Sequence, residues 1–257
     1  MSFAGQMYPR PRHQQPPRRL PLLIAAAAFS SSLYALELGK GLLDFVQQRF
    51  GDAALNRVVE WQTLSNSTEP MTPLQKLDRV NQFFNQTLFI SDQEHWGRED
   101  YWASPVELLA TNGGDCEDYS IAKYFTLREL GVTDEQLKIT YVKALELNLA
   151  HMVLAYYETP NAEPLILDNL INEVRPASQR QDLLPVYRFN GEGLWLAKMR
   201  DRESRRIGDA EKLDSWQELL KRHDIIIGRP TKPANDTSSE PIKPEEQPEQ
   251  PEQPEKG

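Results

Sequence analysis

Cysteine is nearly absent: the 257 residues contain one, Cys116. A single cysteine excludes an intramolecular disulfide and any zinc or iron–sulfur site built from several thiolates. What is left is a buried structural thiol or a reactive one. Positive charge is also short, with 29 Lys+Arg against 38 Asp+Glu and a formal net charge of −9. That balance argues against a general nucleic-acid binder, because such domains are usually basic. The apolar run Leu20 to Phe29 falls short of the roughly 20 residues that cross a bilayer comfortably. What is present is enough apolar residue for a real core, at 39% hydrophobic, so wholesale disorder is not expected.

The two ends differ in composition from the middle. Residues 1–20 hold no acid but carry Arg10, Arg12, Arg18, Arg19 and four prolines. The apolar run follows, then Ser30, Ser31 and Ser32. A basic stretch, a short apolar stretch and a small-residue exit describe a secretory signal peptide over 1–35, with Ala35 just before the cut. The alternative is a signal anchor extended through Leu33–Leu36, which the serines disfavour. From Thr231 to Gly257 there are six prolines, seven acids and three lysines, and Gln-Pro-Glu occurs three times in succession. Such a segment cannot bury apolar surface and reads as an extended, solvated tail. Leader (+4) and tail (3 − 7 = −4) cancel, so the middle, 36–230, carries the whole −9. Its length suits one domain.

Within that domain, residues 40–62 show apolar spacing of three and four, predicting one helix or two short ones. Residues 73–90 predict another, with Pro73 near its start. Ser104 and Pro105 open a short helix over 104–110. Asn112-Gly113-Gly114 is a turn, and a helix from Asp115 to Leu130 is closed by Gly131. From Leu137 the pattern changes. KITYVKAL, HMVLAYYE and PLILDNLI are short runs rich in β-branched and aromatic residues and predict strands. VYRF-NGEG-LWLA predicts a further hairpin, and residues 214–222 a last helix. Helices first and antiparallel strands later indicate an α+β domain.

Cys116 sits where a nucleophile is made. A Gly-Gly turn leads into a helix, and the cysteine falls in its first turn, with Asp115 as cap and Asp118 three residues on. A helix N-terminus stabilises a thiolate and offers free backbone N–H groups to an oxyanion. The bland alternative, a small buried hydrophobe, fits poorly beside three carboxylates. A thiol nucleophile needs a base and an orienting group. His13 is in the leader, His223 in a basic helix end typical of the surface, and His95 in the polar stretch SDQEHWGRED. His151 opens an apolar strand, and the next strand ends at Asp168. If Glu158–Asn161 is a four-residue loop, Tyr157 pairs with Ala162 and His151 with Asp168, on the same face of the sheet. A loop two residues shorter or longer shifts that partner.

One electrostatic conflict remains. Asp115, Glu117 and Asp118 raise the thiol pKa by repulsion. The carboxylates of Asp115 and Glu117 also suit a hard cation such as calcium, although acids at a helix start are ordinary dipole complements.

The stretches GGDCEDYSIAKYFTLRELGV, ITYVKALELNLAHMVLAYY, PLILDNLINEVRPASQR and VYRFNGEGLW resemble the bacterial transglutaminase-like cysteine proteinases across roughly residues 40–200. The resemblance implies a papain- or transglutaminase-like fold, with helices packed on an antiparallel sheet. It implies a triad of Cys116 as nucleophile, His151 as general base and acid, and Asp168 orienting His151. It also implies Ca²⁺ held by Asp115 and Glu117. A periplasmic endopeptidase is expected, one that cuts a large surface adhesin near its N-terminus between paired alanines and so disperses biofilm. An inner-membrane cyclic di-GMP receptor is expected to sequester it. No nucleic-acid partner is expected, nor a membrane span after processing. The Cys116 backbone N–H is one expected oxyanion donor, and Trp102 is a candidate for the second or for a cleft wall. A transglutaminase, a peptidoglycan amidase and a non-enzymatic binding module remain as alternatives.

Overall fold

The computed structural model describes residues 36–196, 206–209 and 213–228. The expected leader and tail, and His13, lie outside the described residues. The first periodic stretch forms two helices, α1 (Lys40–Phe50) and α2 (Asp52–Ser65). The break is Gly51, whose φ of +86° is open to glycine and strained for other residues. α2 buries Ala54, Val58, Trp61 and Leu64. The Trp61 indole N–H donates to Thr126 Oγ1 at 2.8 Å, so its polar edge is satisfied inside the core.

α3 (Pro73–Phe84) begins with Pro73 after a Thr72/Gln75 capping box. It ends six residues before the expected Ile90. Leu88 and Phe89 form strand β1 instead, paired in parallel with β2 (Gly113–Gly114). Leu88 N–H donates to Asn112 C=O, and Ile90 N–H to Gly114 C=O at 2.9 Å. Helical periodicity in 85–90 therefore yields to backbone pairing with a distant Gly-Gly segment. A short helix α4 (Asp92–His95) follows, then α5 (Pro105–Thr111).

Ser104 caps α5 as expected, and it does so reciprocally. Its Oγ accepts from Glu107 N–H, while Glu107 Oε2 accepts from Ser104 N–H at 2.7 Å. Ser104→Ala leaves a buried helix start with an orphan donor. The expected loss is about 1 kcal/mol, read from the midpoint of urea unfolding at unchanged slope.

α6 (Cys116–Glu129) is the central helix, buried on most of its circumference through Tyr119, Ile121, Ala122, Tyr124 and Leu127. The chain leaves it at Gly131, φ +83°. The sheet comprises β3 (Leu137–Ala144), β4 (Leu149–Tyr156), β5 (Leu165–Leu167), β6 (Arg175–Pro176), β7 (Leu183–Phe189), β8 (Leu194–Leu196) and β9 (Arg206–Gly208). Their spatial order is β6-β5-β4-β3-β7-β8-β9, with every neighbouring pair antiparallel. α6 packs on β4 and β3, which brings Cys116 to the end of β4 where His151 lies. α7 (Asp214–Ile226) extends past the expected residue 222 and buries Trp216 and Leu219. His223, expected at the surface, is buried and stacks on Phe125 with ring centroids 4.1 Å apart.

The expected α+β class is present, with helices laid on an antiparallel sheet. Among the described residues, no helix is long and apolar enough to cross a membrane.

Candidate active site

Cys116 is the first residue of α6. The two glycines before it let the chain approach closely. A Cβ on Gly114 would lie 2.4 Å from Asp118 Oδ2 and 2.7 Å from Leu108 Cδ1. A Cβ on Gly113 would lie 2.5 Å from Ile90 Cδ1 and 3.1 Å from His95 Cε1. Any larger residue would push the helix start off its seat. Asp118 secures that seat: it accepts from Asp115 N–H at 3.1 Å and from Ala103 N–H at 2.6 Å. The thiol is half-buried and rests against β4, where the Met152 backbone N–H hydrogen-bonds to it. Met152 follows His151 in the chain.

His151 and Asp168 are joined directly. His151 Nε2 and Asp168 Oδ1 lie 2.8 Å apart, and both side chains are buried. The register that brings them together is not the one expected. Tyr156 pairs with Leu165 and Leu154 with Leu167, so the register is shifted by two and the eight residues 157–164 connect the strands. His151 is therefore not opposite Asp168. β5 stops at Leu167, and Asp168 leaves the strand end to reach His151 diagonally on the same face. Diagonal neighbours two residues off register stay within reach of long side chains.

Asp168 is saturated with donors. Oδ1 also accepts from Leu170 N–H at 3.0 Å, and Oδ2 accepts from Arg180 Nη2 at 2.7 Å. Asn85 Nδ2 donates to its backbone carbonyl at 2.8 Å. Burial alone would raise the Asp168 carboxyl. The hydrogen bonds and charges of His151, Leu170 and Arg180 outweigh it and hold the group at about 2. The Asp168 carboxylate is therefore an anion at neutral pH. With Nε2 committed to Asp168, Nδ1 is the ring nitrogen left for the thiol.

The thiol itself points at a carboxylate. Cys116 Sγ lies 3.0 Å from Glu117 Oε2. Burial first, then the charges of Glu117 and Asp115, push the Cys116 pKa up. Those acids belong to a larger cluster than sequence spacing suggested. Asp92, Asp100 and Glu117 bring carboxylate oxygens within 4.8 Å of one another, and so do Asp92, Asp115 and Asp118. Burial is the main reason that Asp115 is pushed up to about 8, with the Glu117 charge next. Asp92 rises to about 6 chiefly by burial, partly offset by the hydrogen bond from Tyr101.

These oxygens are not equally available. Asp118 spends both on the backbone donors of Asp115 and Ala103. Asp100 accepts from the Trp102 indole at 2.9 Å and from Ser215 Oγ at 3.2 Å. Asp115 Oδ1 and Asp92 Oδ1 are buried with no hydrogen-bond partner. Two orphaned carboxylate oxygens beside Glu117 form a donor set that fits a hard divalent cation.

Trp102 is not placed to hold an oxyanion. Its indole N–H is committed to Asp100, and its ring stacks on Phe189 with centroids 5.5 Å apart. It is a buried aromatic at the edge of the site. His95 sits in α4 against Gly113, and its ring lies 4.4 Å from that of Trp96. Asp92 and Asp100 lie some twenty residues before the cysteine, too far for local spacing to tie them to it. Their only signal was the density of acids in SDQEHWGRED. Arg180, in a polar run between strands, carried no signal at all.

The chain is similar to known proteins. Residues 41–186 match the family described as bacterial transglutaminase-like cysteine proteinase. A solved structure of Legionella pneumophila LapG, EGTA-treated, is 45% identical over 74% of this chain and 99% of its own, with a TM-score of 0.63. The calcium-bound form of Legionella pneumophila LapG is 44% identical over 70% of this chain and 98% of its own, with a TM-score of 0.59. No curated protein sequence matches. A family match over more than half of the residues, together with that identity across nearly the whole of a solved relative, makes this chain a member of the bacterial transglutaminase-like cysteine proteinases.

Proposed function

We propose that the protein is a calcium-dependent periplasmic endopeptidase acting through Cys116, His151 and Asp168. Its substrate in this reading is the N-terminal region of a large LapA-like surface adhesin, cut between paired alanines, so that the adhesin is released and biofilm disperses. A LapD-like inner-membrane receptor for cyclic di-GMP holds the protease in check. The exported leader over 1–35 and the solvated tail over 231–257 are part of the same proposal. The observation that carries it is the buried His151–Asp168 pair, 2.8 Å apart, at the strand end against which the helix-start thiol rests. The Legionella relative has both calcium-bound and EGTA-treated structures, which supports the calcium requirement.

In the proposed reaction, His151 Nδ1 takes the Cys116 proton, and the thiolate attacks the carbonyl carbon of the scissile peptide. The Cys116 backbone N–H at the start of α6 donates to the oxyanion. The His151 imidazolium, oriented by Asp168, then protonates the leaving amine. Water activated by the same imidazole hydrolyses the thioester. Asp115, Glu117 and Asp92 are the residues that would hold the cation, with Asp100 beside them. A bound dication supplies positive charge that offsets the acids raising the thiol pKa. Glu117, engaged in that way, no longer competes with His151 for the thiol proton.

The test is incubation with adhesin N-terminal fragments containing paired alanines, in calcium and in EGTA. Cleavage at the alanine pair is expected in calcium, with roughly a tenfold or greater loss in EGTA that added calcium restores. Asp115→Ala is expected to match the EGTA result. Equal rates in both buffers would remove calcium from the proposal. Incorporation of an added amine in place of hydrolysis would replace endopeptidase by transglutaminase, and release of peptide from sacculi would favour an amidase.

A further inference from the structure

Arg180 is buried to 3% exposure in the loop before β7, and its guanidinium spans two carboxylates. Nη2 donates to Asp168 Oδ2 at 2.7 Å. Nη2 and Nε donate to Asp182 Oδ2 and Oδ1 at 2.8 and 3.1 Å. Asp182 is in turn fixed to the sheet, since its carbonyl accepts from Leu145 N–H at 2.7 Å at the end of β3.

From this geometry we infer that Arg180 is a positioning residue for the proteolytic reaction, locking the Asp168 carboxylate so that His151 keeps Nδ1 toward the thiol. This deepens the triad reading above and rests on it.

Two physical requirements point to this role. The first is rotation. Asp168 sits past the end of a three-residue strand and binds His151 through Oδ1 alone. Without Arg180 it would be held on that oxygen by His151 and one Leu170 N–H only, and with Oδ2 unbound the carboxylate could still turn about its terminal bond and carry the imidazole with it. A guanidinium already held by a second carboxylate makes that turn costly, because the fork has a fixed geometry. The second requirement is charge. Asp168, Arg180 and Asp182 together carry −1. That is the complement of a single positive charge on His151, the form that accompanies the thiolate. Asp168 without Arg180 would leave two acids and no fixed cation hydrogen-bonded to them. Lys123, buried on α6, also faces Asp168 electrostatically, but its Nζ makes no hydrogen bond and so cannot set the orientation of the carboxylate.

The test compares wild type, Arg180→Met and Asp182→Asn in the full chain with calcium. Two readouts are used: kcat and KM for a paired-alanine peptide, and the proton NMR signal of the His151 Nε2–H bonded to Asp168. Circular dichroism monitors folding. Arg180→Met is expected to lower kcat roughly 10–100-fold with KM changed less than about threefold, and to broaden or remove the low-field His151 signal. Asp182→Asn leaves Arg180 in place but loosens its anchor, and about a threefold to tenfold loss in kcat is expected with a weakened signal. A folded Arg180→Met protein with an intact His151 signal overturns the inference, whatever its kcat. If Arg180→Met does not fold, Asp182→Asn decides: unchanged kcat and signal there overturn it as well. The His151 signal needs no substrate, so absence of peptide cleavage by wild type would sink the proposed substrate while leaving this inference to be judged by the spectrum.

Discussion

Cys116→Ala is expected to lose paired-alanine cleavage by a factor on the order of 10⁴ to 10⁶ while remaining folded. The reasoning separates chemistry from scaffold. The substitution removes the only atom in the site able to form an acyl bond to the substrate. His151, Asp168 and the α6 backbone donors stay in place, yet none of them can substitute for a covalent intermediate. Groups that act as one unit fail as one unit, so the loss is close to the whole rate advantage of the triad. The scaffold loses little. Cys116 is half-buried, its thiol donates to Glu117, whose carboxylate already repels its neighbours, and only the Met152 N–H loses an acceptor. The melting temperature is therefore expected to stay within a few degrees of wild type, by roughly the shift that 1 kcal/mol produces in a domain of this size. Full activity in the variant would remove Cys116 from the mechanism.

Lys123→Met is expected to stabilise the protein. Lys123 is among the largest fully buried side chains, and its Nζ has no hydrogen-bond partner; the Tyr119 ring lies 5.6 Å away. Burial lowers its pKa from 10.5 to about 7, against the opposing pull of Asp168. In the unfolded chain the amine keeps its ordinary value. Between about pH 7 and 10.5 the unfolded state therefore holds a proton that the folded state has released, and stability rises with pH across that window. Turned around, the lysine works against folding as pH falls from 10.5, and the penalty is complete near and below 7. A difference of that size corresponds to roughly 3–5 kcal/mol. Methionine fills a similar volume without charge, so a gain of about 2–3 kcal/mol is expected at pH 7, narrowing towards pH 10. Urea midpoints at the two pH values check both the sign and the convergence. A variant less stable than wild type at pH 7 would mean that the ammonium has a favourable partner in solution.

What could be read from the residues was decided by how local each determinant is. Ser104-Pro105 at a helix start, and Gly131 just past a helix end, act over a few residues and appear where expected. The end of α3 does not, because Leu88 and Phe89 answer to Gly113 and Gly114, some 25 residues away. The His151–Asp168 contact was legible as a pairing of two strands, while its register was not. The connection over 157–164 carries no dipeptide that sets a unique length, and a shift of two keeps both residues on one face. The cluster beside the thiol was half legible. Asp115 and Glu117 flank the cysteine in sequence, whereas Asp92 and Asp100 arrive only through the fold of the chain over α6. Arg180 lay beyond reach, since a charged residue in a polar run looks the same whether it meets water or a buried carboxylate.

The coil from Trp96 to Ser104 links the two halves of that acid cluster, and it has no strand partner. It is tied down at a few points: Tyr101 N–H to Asp92, Ala103 N–H to Asp118, and the Arg222 guanidinium to the Trp102 carbonyl. Trp102 and Ala103 at its end are buried in the core, but the exposed stretch 97–100 lies over like charges, so opening there relieves repulsion where opening the sheet would expose apolar core. Local opening should therefore begin in the stretch 97–100, at a small fraction of the global unfolding energy. In terms of exchange, its amides form a separate, weakly protected unit beside a slowly exchanging β3–β4 core. Anything that draws the acids together closes the unit without altering the sheet.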